Sequence, residues 1–71
     1  MTTQLTNEEK ISIINSHLKN LEYNKFNIEM SIVEENAKST PDSSNISSLN
    51  SQVSEIDVQI AALNAESAAL A

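Results

Sequence analysis

Two runs of apolar residues, spaced alternately by three and four and lying on either side of a lone proline, limit what this chain can fold into more than any other feature. The first run is Ile11, Ile14, Leu18, Leu21, Ile28 and Ile32, with Lys25 in the remaining slot. The second is Ile46, Leu49, Val53, Ile56, Ile60, Leu63, Ser67 and Leu70. This spacing puts each run on one stripe of an α-helix, at the a and d positions of a heptad lettered a to g. A strand, whose side chains alternate with period two, does not fit.

The edges of the runs carry helix signals. Thr6 and Glu9 have the spacing of a capping box, and Glu8 and Glu9 suit the positive end of a helix dipole. Lys38-Ser39-Thr40-Pro41-Asp42 reads as a turn. The residue before proline is pushed out of the α region, whereas proline itself suits a first helical position. Thr40 is then the expected cap of the second helix, with Ser43 or Ser44 as later alternatives. Residues 1–71 are therefore expected to form one all-α domain, with a first helix over about 6–38, a turn over about 38–41 and a second helix over about 41–70. A short connection favours antiparallel neighbours. The expected architecture is a two-helix antiparallel coiled-coil hairpin that pairs Ile32 with Ile46, Leu21 with Ile56 and Ile14 with Leu63.

Composition removes several alternatives. There is no Gly to supply the positive φ of tight hairpins and phosphate loops, and no Cys for disulfides or thiolate metal sites. The net charge is −6, and residues 39–71 contain neither Lys nor Arg. Such a surface repels phosphate backbones and acidic headgroups, so neither nucleic acid nor membrane is expected as a partner. Glu22, Glu29 and Asp57 along one flank are too few to imitate a ladder of phosphates. Met1-Thr2-Thr3-Gln4 lacks the basic and apolar regions of an export signal, which makes a cytoplasmic location the expectation. Abundant Asn, Ser and Ile, with Lys and no Arg as the basic residue, suits an AT-rich genome, bacterial or viral, and a viral chain would work in the host cytoplasm or the virion.

Catalytic chemistry has little to build on. His17 falls at a g position, with neither a Glu-x-x-His nor a His-x-x-x-His partner. Glu8-Glu9 and Glu34-Glu35 read as solvated helix faces, since paired catalytic carboxylates need a pocket to drive their pKa values apart. No catalytic, metal or cofactor-binding residue is assigned.

What the hairpin leaves over is apolar surface. Tyr23, Phe26, Met30, Val33 and Ala37 form a second stripe at the f and b positions, facing away from the seam. On the second helix the outer residues of the first half are serines (Ser47, Ser48, Ser51, Ser54), and those of the second half include Val58, Ala61, Ala62, Ala65, Ala68 and Ala69. Exposed aromatic, Met and Val side chains in a row mark an interface. The candidate interface is Tyr23, Phe26, Met30, Val33, Ala37, Val58, Ala62 and Ala65. The expected function is a non-enzymatic protein–protein interaction module. Its first form is a self-associating scaffold hairpin that pairs into a four-helix bundle. Its second is a small acidic adaptor or inhibitor docked on a larger protein. Lys25, the one charge in the first run, is expected to leave the seam and neutralise Glu22 and Asp57 on its flank.

Overall fold

The computed structural model describes residues 4–71. It contains two helices, α1 (Asn7–Asn36) and α2 (Ser43–Leu70), packed along one another in a rod of 61 × 19 × 15 Å. Contacts at three levels show that they run antiparallel. At the open end the Asn7 Nδ2 donates to the Leu70 carbonyl at 3.2 Å. Midway, the Lys25 ammonium meets the Asp57 carboxylate at 2.8 Å. Beside the turn, the Asn45 Nδ2 donates to Glu35 Oε1 at 2.6 Å.

The heptad seam is the contact. Its residues, from Ile11 to Ile32 on α1 and from Ile46 to Leu70 on α2, are half-buried, while the f and b positions are exposed. Ile14 and Leu63, expected at one level, line the same depression. Two helices bury only one side of each seam residue, so among the described residues no apolar side chain is fully buried. The seam orients the helices without enclosing a core.

Local signals account for most helix ends. At α1 the Thr6 hydroxyl accepts from the Glu9 N–H at 3.1 Å and the Thr6 N–H donates to Glu9 Oε1 at 2.8 Å, which completes the capping box. The turn differs from the expectation. α1 stops at Asn36, Ala37 is its cap, Pro41 lies in the connection, and Asp42 rather than Thr40 caps α2. The Asp42 Oδ1 accepts from the N–H groups of Ser44 and Asn45 at 2.9 and 3.3 Å, two of the donors that a helix start leaves free. The longer connection also answers the lack of glycine. No described residue has positive φ, and Ala37 ends α1 in the right-handed region instead of the left-handed cap that glycine usually supplies.

Candidate protein interface

α1 carries its second apolar stripe on the side turned away from α2. Tyr23 is 61%, Phe26 59%, Val33 57% and Met30 40% exposed, and Ala37 is exposed at the helix cap. These residues follow one another at f and b, so they form a continuous row along the turn-proximal half of the helix. Lys19, Glu22, Tyr23 and Phe26 line a surface depression of about 260 Å³ at its start.

The candidate residues of α2 fall on two surfaces. Val58, at 69% exposure, and Ala65 lie on the outer face with Ala61 and Ala68. Ala62 instead lines a depression between the helices, with His17, Asn20, Leu21, Gln59 and Leu63. The f and b positions differ along their length: those of α1 are apolar near the turn, those of α2 near the open end, and each set is polar where the other is apolar, while Ile13, at c near the open end of α1, is also 48% exposed.

The charges of the seam are placed by contacts the heptad pattern does not spell out. Lys25 leaves the seam as expected and bonds Asp57 directly. That hydrogen bond, then the charge of Asp57, raises the Lys25 pKa above its ordinary value, with Glu29 and Glu22 adding weaker attraction. Glu22 is thus a neighbour in the field and not a bonded partner.

Glu35 overturns its reading as part of a solvated face. It is the one buried residue among those described, at 4% exposure. Its Oε2 accepts from the Asp42 N–H at 3.1 Å, and its Oε1 accepts from Asn45 Nδ2 and from Lys38 Nζ, the latter at 3.1 Å. The Asp42 N–H, the Asn45 amide and the Lys38 ammonium, in that order, hold its carboxyl below the usual carboxylate range. A signal for this burial exists in the sequence: the d position after Ile32 is residue 35. The apolar pattern ends before it, so the seam continues with a charge.

No described group of three or more His, Cys, Asp or Glu side chains is arranged to hold a metal, and no described helix is long and apolar enough to cross a membrane. Comparison with protein-family models, with curated proteins and with solved structures found no match.

Proposed function

We propose that this chain is a non-enzymatic interaction module whose working form is an assembly of its own copies, four helices being the smallest unit. The observation that carries the reading is the row of Tyr23, Phe26, Met30 and Val33, each between 40% and 61% exposed, on a hairpin without a fully buried apolar side chain. Both facts have the same remedy. An outer stripe of large apolar side chains gains free energy when water is removed from it, and a two-helix rod gains packing from a third and fourth helix. The acidic surface beside the stripe keeps the chain from indiscriminate aggregation.

Light scattering over a concentration series tests this. The parent should exceed the 7.8 kDa monomer mass, and Phe26→Ser or Met30→Glu should return it towards the monomer with helix content kept. A truncated hot spot costs about 2 kcal/mol or more, roughly a thirtyfold loss of affinity. A parent that remains monomeric throughout the series refutes the reading, and a larger protein then becomes the occupant of the stripe.

A further inference from the structure

Resting on that reading, we infer which surface of a second copy covers the stripe: α1 of one hairpin lies parallel to α2 of the next, and the pairing repeats from copy to copy. The evidence is a match in register between the outer faces. Tyr23 and Val58, Phe26 and Ala61, Met30 and Ala65, and Val33 and Ala68 are each separated by 35 positions, which is five whole heptads. Members of each pair therefore share a heptad letter, f or b, and all eight are exposed. A parallel alignment with this offset sets each large side chain of α1 on a smaller one of α2. Small residues let the second helix approach while large ones fill the space between.

The same alignment brings together the polar halves. Ser12, Ser16 and Lys19 of α1 face Ser47, Ser51 and Ser54, and the helices overlap over their full lengths. The flanks agree as well. In a parallel pair, flanking residues meet five positions apart across the interface. Glu22 and Glu29 then meet Ala62 and Ala69, Asp57 meets Asn27, Glu34 meets Asn64, and Glu55 meets Asn15. No acid opposes an acid, which matters for a chain of net charge −6.

Other pairings fail on the same residues. α1 against a second α1, antiparallel about Phe26, opposes Glu22 and Glu29 twice and leaves Val58 bare. α1 against α2 with both turns at one end sets Tyr23, Phe26, Met30 and Val33 on Ser54, Ser51, Ser47 and Ser44. At 100° per residue the stripe lies about 150° around α1 from the seam, nearly opposite α2. Each hairpin thus offers an α1 face on one side and an α2 face on the other. Such an interface joins unlike surfaces and leaves one of each free on a pair, so assembly continues past two copies, into a closed ring or an open filament.

Two variants that each disable one face test the inference. Met30→Glu blocks the α1 face and Ala65→Glu the α2 face. The parent should grow beyond two copies with concentration, each variant alone should be monomeric, and their equimolar mixture should stop at two copies. If Ala65→Glu alone assembles like the parent while Met30→Glu does not, the stripe pairs with something other than α2. This inference then falls while self-association stands. A monomeric parent sinks both. Circular dichroism checks that each variant remains helical, with Phe26→Ser and Ala61→Glu as the replacement pair. Register is tested separately in this cysteine-free chain. Mixed Tyr23→Cys and Val58→Cys should form a disulfide, whereas Tyr23→Cys and Ala65→Cys, one heptad out of register, should not. Equal crosslinking of both mixtures overturns the alignment.

Discussion

The middle of the hairpin and its turn end each place a charge at a seam position, and they handle it in opposite ways. Lys25, at a, has a long stem that carries its ammonium out to Asp57, where it remains 29% exposed. Glu35, at d, is shorter and stays inside at 4% exposure. It can stay because donors reach it there: the backbone N–H of Asp42 at the α2 cap, the amide of Asn45 in the first turn, and Lys38 from the connection. Lys25 needs acceptors instead, and mid-helix backbone carbonyls are already bonded within their own helix, so its ammonium finds one only by leaving the seam for Asp57. A seam charge is thus tolerated where its side chain can leave or where a helix end supplies partners. The two solutions also serve different ends. Lys25 offers a cross-helix bond in solvent, while Glu35 fastens the connection to both helices.

Breaking the turn end should have the larger effect. Glu35→Ala strands the Asp42 N–H and the Asn45 amide, and thermal unfolding at fixed protein concentration should show Tm lower by roughly 5–10 °C. An equal loss in Lys25→Ala would erase the contrast between the regions. Asp42→Ala removes the α2 cap and should cost about 1 kcal/mol, read by urea unfolding.

pH separates the two charges. Glu35 has a folded-state pKa below that of the unfolded chain, about 4.3, so its stabilising contribution is complete above that value and is lost as pH falls through the folded one. The Glu35→Gln variant should therefore lose less stability than the parent between about pH 5 and pH 2. Lys25 behaves in the opposite sense. Its folded-state pKa is raised above the unfolded value of about 10.4, so its contribution is complete below that value and is lost as pH rises through the folded one. The Asp57→Asn variant should flatten that alkaline loss. The smallest change is expected from Lys25→Ile, which should raise Tm by a few degrees, since an aliphatic side chain at a packs the seam and a polar one costs stability. A fall in Tm would mean that the Asp57 bond outweighs that packing.

Much of this molecule was readable from local chemistry. The capping box at Thr6 and Glu9 needs only residues three apart, and it forms as the spacing implies. The two seams follow from periodicity, and the exit of Lys25 toward Asp57 follows from the lean of helical side chains and the antiparallel register. The candidate interface was legible in part. Tyr23, Phe26, Met30, Val33 and Val58 are exposed because f and b point away from any a/d seam, but Ala62, at c, proved to line the groove between the helices.

By itself the sequence determined two helices, the faces they turn to one another and the apolar stripe left outside, because each depends on spacings within one helix. Only the tertiary structure decided the cap at Asp42 and the burial of Glu35. Thr40, Asp42, Ser43 and Ser44 are all competent caps, and a local reading ranks them closely. The choice depends on where the chain can cross between the helices without a positive φ. Glu35 depends on three donors up to ten positions away, Lys38, Asp42 and Asn45, which converge only when α2 folds back. Its d position turns Glu35 toward α2, but α1 alone does not supply the donors that let a carboxylate stay there; the fold brings them.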